Sequence, residues 1–90
     1  MANHASAKKR IRQTAVRTAR NRHIRSTVRT FIKRVRQSIQ QGDQEQARNA
    51  LHDAVRRIDA SVSKGVYHRR TASRYIARLS KQVHAMKQAA

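Results

Sequence analysis

The sequence predicts an all-α protein, an antiparallel three-helix bundle with a long first helix that a basic N-terminal arm extends. Apolar residues recur at spacings of three and four in three separate segments, which is the period of a helix with one buried face. The 90 residues include no Pro and only two Gly, and both Gly fall between these segments. The segments are nearly equal in length and the connections between them are short, which favours antiparallel neighbours.

The first apolar segment spans residues 24–39. Its apolar side chains are Ile24, Val28, Phe31, Ile32, Val35 and Ile39. Projected backwards at ~100° per residue, this stripe meets Arg17 and Arg10, where a core would need apolar groups. We therefore divide the chain into a basic arm, residues 1–23, and a bundle, residues 24–90. Like charges oppose helix formation in the arm, so we expect it to fray when free and to continue the first helix when a partner neutralises it.

The second and third segments span residues 47–62 and 72–86. Gly42 and Gly65 follow the first and second segments, where a helix C-terminus favours a residue that tolerates positive φ. Asp43 is a candidate N-cap, and Gln46 three residues later completes a capping-box pattern. No Ser, Thr, Asp or Asn directly follows Gly65, so the start of the third helix is less well marked. A helical hairpin with a loosely attached third helix is the alternative architecture.

The formal net charge is +18, and all four acidic residues lie within residues 43–59. A charge of this size indicates a polyanionic partner or an anionic surface. There is no Cys, which excludes a disulfide framework and a thiol metal site. The longest apolar runs are two or three residues, too short to span a membrane, and the N-terminus lacks the apolar core of a secretory signal. We expect a cytoplasmic protein without a membrane segment, metal or cofactor.

The basic residues of the first and third segments form two helical stripes. The first stripe lies ~100° around the helix from the apolar seam and comprises Arg22, Arg25, Arg29, Lys33 and Arg36. The second lies opposite the apolar seam of the third helix and comprises Arg70, Arg74, Arg78 and Lys81. The middle helix is balanced, and Asp53 and Arg57 are spaced to form an ion pair. Solubility requires far less charge of one sign, so the stripes are candidate binding surfaces.

The types of side chain favour folded RNA as the partner. Sixteen of the 22 basic residues are Arg, whose guanidinium binds phosphate with two hydrogen bonds. Only three aromatic residues are present, too few for a base-stacking platform, so shape recognition is favoured. A DNA-packaging protein and a membrane-active amphipathic peptide are the alternatives. The five His residues are scattered without ligand or catalytic spacing, so we predict no enzymatic activity.

Several stretches resemble the bacterial small-subunit ribosomal protein S20 family. They are MANHASAKKR at the start, RNRHIRSTVRTFIK in the first helix and KGVYHRRTASRYIARL across the last turn, and the resemblance covers nearly the whole chain. It implies a three-helix bundle that binds 16S ribosomal RNA directly and stabilises the fold of that RNA during assembly of the small subunit. It also implies few protein contacts, no small-molecule substrate, no cofactor and no catalysis.

The resemblance also implies a set of RNA contacts. In the three stretches these are Ser6, Lys8, Lys9 and Arg10, then Arg20, Asn21, Arg22, Arg25, Ser26, Arg29, Thr30 and Lys33, then Lys64, Gly65, His68, Arg69, Arg74 and Arg78. The charge pattern adds Arg12, Arg17, Arg36, Arg70 and Lys81. Two positions depart from the family pattern, Arg70 where Asn is frequent and Ala77 where Ser is frequent. Neither departure removes a cationic group.

Overall fold

Three helices follow one another along the chain: α1 (Asn3–Gln40), α2 (Gln44–Ser63) and α3 (Arg69–Ala89). They come from a computed structural model that describes the backbone of residues 3–89 and the side chains of residues 4–86. That part of the chain contains no strand, and α1 has 38 residues. The predicted all-α three-helix bundle with a long first helix is therefore confirmed. Residues 1, 2 and 90 of the predicted arm and bundle lie outside the described part.

The core consists of small and medium side chains from all three helices. The buried apolar residues are Val28, Val35, Ala47, Ala54, Ile58, Ala72, Leu79 and Val83. All eight belong to the three apolar segments that the sequence predicts. Alanine at the contact positions lets helix axes approach closely, and α2 packs against both α1 and α3. The bundle thus buries the predicted seams against one another and leaves the basic faces outside.

Both glycines end a helix in the left-handed conformation. Gly42 has φ 75° and Gly65 has φ 74°, as the sequence predicted. In the connection between α1 and α2, the N–H of Gly42 donates to Ile39 O at 3.1 Å, and the N–H of Asp43 donates to Ser38 O at 3.3 Å. This pair of bonds is a Schellman motif, and it satisfies carbonyls that the helix end would otherwise leave unpaired.

The helix starts are capped by side chains of two kinds. Asp43 caps α2 as predicted, because its carboxylate accepts the N–H of Gln46 at 3.0 Å. The N–H of Asp43 already donates to Ser38 O, so it is not left for Gln46, which a capping box would require. At α3 the ring Nδ1 of His68 accepts the N–H of Arg70 at 3.1 Å. An imidazole therefore takes the capping role for which the sequence offered no Ser, Thr, Asp or Asn.

The ion pair that the spacing of Asp53 and Arg57 allows does not form in the described part of the chain. The guanidinium of Arg57 instead lies 5.1 Å from the centroid of the Phe31 ring on α1. This cation–π contact joins two helices, whereas the predicted pair would have stayed within α2. A different carboxylate, Asp59, pairs with Arg69 at 3.1 Å and ties α2 to the start of α3. That pair is exposed, so its contribution to stability is small.

The arm is the outer half of α1 and packs against no other helix. Every described side chain from His4 to Arg20 is exposed, including the apolar Ile11 and Val16. The first half-buried positions are Asn21 and Ile24, which is where the apolar seam was predicted to end. A helix without packing contacts depends mainly on its own backbone hydrogen bonds. The division at residue 23 remains a prediction.

Candidate nucleic-acid interface

Part of each predicted cationic stripe borders one groove between α1 and α3. The groove has a volume of about 570 Å³. Its basic rim consists of Arg29, Lys33 and Arg36 on α1 and Arg78 and Lys81 on α3. Its floor is largely apolar and includes Ile32, Tyr75 and Leu79. The α1 stripe lies beside the core seam and not opposite to it, so packing places that stripe next to α3.

A second hollow continues this basic surface along α1 towards the arm. It measures about 500 Å³ and shares Arg29 with the groove. Its other lining residues are Thr18, Asn21, Arg22 and Arg25. No acidic side chain lines either hollow, and the five basic residues of the α1 stripe are all exposed. The positive charge therefore faces solvent without an internal counter-ion along this surface.

The remaining predicted contacts are distributed around this surface. The arm carries seven of them, all exposed: Ser6, Lys8, Lys9, Arg10, Arg12, Arg17 and Arg20. Of these, Lys9, Arg12, Arg17 and Arg20 line a shallow hollow of their own on α1. Arg70 and Arg74 are exposed on α3 but do not line the groove with Arg78 and Lys81. The structure thus brings together five of the predicted cations at the groove and separates the others from it.

The turn between α2 and α3 already uses several of its polar groups internally. The guanidinium of Arg20 reaches Lys64 O at 3.5 Å, a contact between α1 and this turn. Arg69 is paired with Asp59, and His68 uses its Nδ1 as the helix cap. A phosphate at this turn would therefore meet the exposed ammonium group of Lys64 and the Nε2 edge of His68.

Thr30 and Asn21 on α1 differ in whether their polar groups already have hydrogen-bond partners. The hydroxyl of Thr30 donates to Ser26 O at 3.0 Å, so in this conformation Thr30 can accept a hydrogen bond but not donate one to phosphate. Asn21 Oδ1 is buried and has no hydrogen-bond partner in the described part of the chain. A buried acceptor without a donor is costly.

Two specific features, a membrane-spanning helix and a cluster of metal ligands, are absent from the described residues. Residues 3–89 include no helix that is long and apolar enough to cross a membrane. Among the side chains described, no three His, Asp or Glu residues are grouped as ligands for a metal ion.

Sequence comparison identifies the family. The chain matches the family described as ribosomal protein S20 over residues 2–84. The chain belongs to the ribosomal protein S20 family. It is 55% identical to the small ribosomal subunit protein bS20 of Citrifermentans bemidjiense over 86 residues, which cover 96% of this chain and 99% of the relative. The bS20 protein of Geotalea uraniireducens is 56% identical with the same coverage, and that of Maricaulis maris is 50% identical over 96% of this chain and 98% of its own.

Membership of the S20 family confirms two predictions made from the sequence. The resemblance itself is confirmed, since the match extends over nearly the whole chain. The family is structural and non-enzymatic, in agreement with the absence of catalytic spacing among the His residues. The chain therefore has a structural role in the ribosome.

Sequence reasoning missed one arrangement of basic residues altogether. The guanidinium groups of Arg34 and Arg57 lie 4.8 Å and 5.1 Å from the centroid of the Phe31 ring. The spacing of Phe31 and Arg34 on α1 was a usable signal, because residues three apart share a helix face. Arg57 gave no signal, since its contact with Phe31 depends on how α2 packs against α1.

Proposed function

We propose that this chain is a component of the small ribosomal subunit in the cytoplasm and binds 16S ribosomal RNA directly through α1 and α3. The observation that carries the proposal is the groove at which basic residues of both helices meet. The relatives are named small ribosomal subunit proteins, and the groove supplies a surface suited to RNA. In this role the protein stabilises the fold of the RNA during assembly and makes few contacts with other proteins.

The physical basis is the release of counterions from RNA phosphates. Each phosphate that a Lys or Arg neutralises releases condensed cations, which favours binding and makes it dependent on salt. In the free protein the stripe residues repel one another, because Arg25, Arg29 and Lys33 follow at intervals of four on one helix face. Bound phosphates replace that repulsion by attraction. The charge density of α1 is therefore a cost in the free protein that RNA binding offsets.

The geometry favours recognition of RNA shape over the reading of bases. The two rims stand on helices that the core holds in fixed relation, so the spacing of the cations is set before binding. The three aromatic residues are Phe31, Tyr67 and Tyr75, and all three are half-buried against the core. They are not free to stack on exposed bases. Contacts from a rigid basic groove to phosphate and ribose are suited to a folded RNA of defined shape.

The proposal is tested by comparing RNA with DNA across a salt series. We expect the protein to bind a small-subunit ribosomal RNA domain tightly near physiological salt, while binding to duplex DNA of equal length is lost as salt rises. The reason is that non-specific phosphate attraction is screened, whereas contacts in a matched geometry persist. Affinities measured by fluorescence anisotropy decide between the outcomes. Equal affinities with parallel salt slopes would indicate a general polyanion binder and contradict the proposal.

We further expect the arm, residues 1–23, to become ordered on binding RNA. The described side chains of the arm are exposed as far as Arg20, and the arm contains no acidic residue, so its helix is stabilised when phosphates lie along it. Hydrogen exchange should show rapid exchange of the backbone amides of the arm in the free protein and strong protection in the complex. The amides around the buried residues of α2 serve as the internal control, since they should be protected in both states. Strong protection of the arm without RNA would contradict this expectation.

A further inference from the structure

The start of α3 is capped by an imidazole that must be neutral to act as a cap. His68 Nδ1 accepts the N–H of Arg70 at 3.1 Å, and His68 O accepts the N–H of Ala72 at 3.0 Å. These two bonds make His68 the N-cap residue, whose side chain receives an N–H of the first helical turn. Nδ1 accepts a hydrogen bond only in the neutral ring with its proton on Nε2, because both nitrogens of a charged imidazole are donors. The cap therefore exists in one protonation state.

The first turn of α3 has no carboxylate of its own that could replace this cap. It begins with Arg69 and Arg70, and it contains no acidic residue. Positive side chains are unfavourable at the N-terminal end of a helix, where the macrodipole is also positive. Asp59 on α2 supplies an anion from outside the turn, but its pair with Arg69 at 3.1 Å is exposed and holds the turn only weakly. Loss of the His68 cap would therefore leave this turn with little to hold it.

The charged groups that the three helices bring to this turn are mostly cations. The helix α3 contributes the two arginines of its first turn. The helix α1 contributes Arg20, whose guanidinium reaches Lys64 O at 3.5 Å, and the side chain of Lys64 is itself exposed. The helix α2 contributes Asp59, whose carboxylate is already paired with Arg69. Protonation of His68 would thus add a positive charge beside other positive charges, which disfavours the capped arrangement further.

We propose that His68 is a pH-sensitive cap, so that protonation of its ring releases the first turn of α3 and deprotonation restores it. Histidine is the side chain whose charge ordinarily changes between about pH 5 and 8, and His68 is exposed, so solvent protons reach its ring. The fold uses the neutral form, as acceptor for the Arg70 N–H. The stability that the cap contributes is therefore present at higher pH and is lost as the pH falls. This switch is a property of the free protein and does not require the RNA binding proposed above.

The release should be confined to the beginning of α3. Ala72 ends the first turn and is buried, as is Leu79 two turns later, so the core holds the remainder of the helix at either pH. The α3 side of the groove with α1, which begins at Tyr75, lies in that remainder. Acid should therefore loosen Arg69 and Arg70 without displacing the basic rim of the groove.

The test is an NMR titration of the full, isotopically labelled chain between about pH 7.5 and 5.5. We expect the amide resonance of Arg70 to shift with the same midpoint as the ring resonances of His68. The protection of that amide against exchange, corrected for the intrinsic pH dependence of exchange, should fall by about tenfold. A lost N-cap accounts for about fivefold, and a positive charge at the helix N-terminus accounts for the rest. The amide of Ile58 in the core should stay strongly protected at both pH values.

Three variants separate the cap from a general effect of acid. His68→Asn introduces a preferred N-cap residue whose amide oxygen does not titrate, so the Arg70 amide should stay protected at both pH values. His68→Ala removes the acceptor, so the protection of that amide should be low at both. His52→Asn changes an exposed histidine of α2 away from this turn, and the pH response of Arg70 should persist. A response that survives in His68→Asn, or an Arg70 amide that does not follow the His68 ring in the wild type, would overturn the pH-sensitive cap and leave the proposed function intact.

Discussion

Replacing Arg29, Lys33 and Arg78 together by glutamine is expected to weaken binding of small-subunit ribosomal RNA by about a thousandfold. The three side chains stand on both rims of the α1–α3 groove. Loss of each charged contact to phosphate should cost about tenfold in affinity. Fewer neutralised phosphates also release fewer counterions, so the slope of log affinity against log salt should fall by about three. Anisotropy titrations at several salt concentrations measure both quantities.

Two controls separate loss of contacts from loss of structure. Arg48→Gln removes a charge from α2 outside the groove, so we expect the affinity to change by no more than about twofold. The triple variant itself should unfold at a higher denaturant concentration than the wild type. Arg29 has Arg25 and Lys33 at intervals of four, and removing like-charge pairs stabilises a helix by about 0.2–0.5 kcal/mol each. Weaker binding together with lower stability, or an equal loss from Arg48→Gln, would contradict the role of the groove.

The core could be predicted from the sequence because each helix encodes its own buried face. Val28 and Val35 on α1, or Leu79 and Val83 on α3, follow the helical period, and each pair is buried in the structure. The turns were equally predictable, since Gly42 and Gly65 take the positive φ that other residues adopt at a cost. These features depend on residues close together in the chain. Periodicity and backbone preference therefore suffice to locate them.

The groove could be predicted only in part, because its two rims belong to helices far apart in sequence. Periodicity identified Arg29 and Lys33 as one stripe and Arg78 and Lys81 as another. It gave no information that these four residues border the same groove, nor that Arg70 and Arg74 stand apart from it. That relation depends on the rotation of α3 about its own axis. The rotation is set by how Ala72 and Leu79 pack into the core, which no local pattern contains.

The remaining differences arise where a side chain found a partner outside its own helix. Asp53 lies four residues before Arg57 and could pair with it, but an exposed ion pair of this kind adds little to the stability of the fold. The Phe31 ring on α1 supplies a competing contact that periodicity within α2 could not reveal. His68 likewise is not among the preferred N-cap residues. It caps α3 because the glycine turn places its ring nitrogen next to the N–H of Arg70.

Replacing Ile58 by alanine is expected to lower the free energy of unfolding by about 2–5 kcal/mol. Ile58 is fully buried, with 0% of its surface exposed, and is the largest of the fully buried side chains in the described part. Its removal leaves a cavity among small neighbours such as Ala54, which have few atoms with which to fill it. Small domains have only a modest margin of stability, so a large fraction of the free variant should be unfolded. Urea denaturation followed by circular dichroism measures the change.

The chain provides a matched control for this substitution. Ile11 on the arm is 69% exposed, so Ile11→Ala makes the same chemical change without opening a cavity and should alter the free energy of unfolding by less than about 0.5 kcal/mol. The RNA complex adds a second control. Because RNA binds the folded state, adding it in excess should restore helical structure to Ile58→Ala by mass action. Equal destabilisation by the two variants would show that the core does not hold this bundle together, whereas recovery with RNA would show that the binding faces remain intact when the core is weakened.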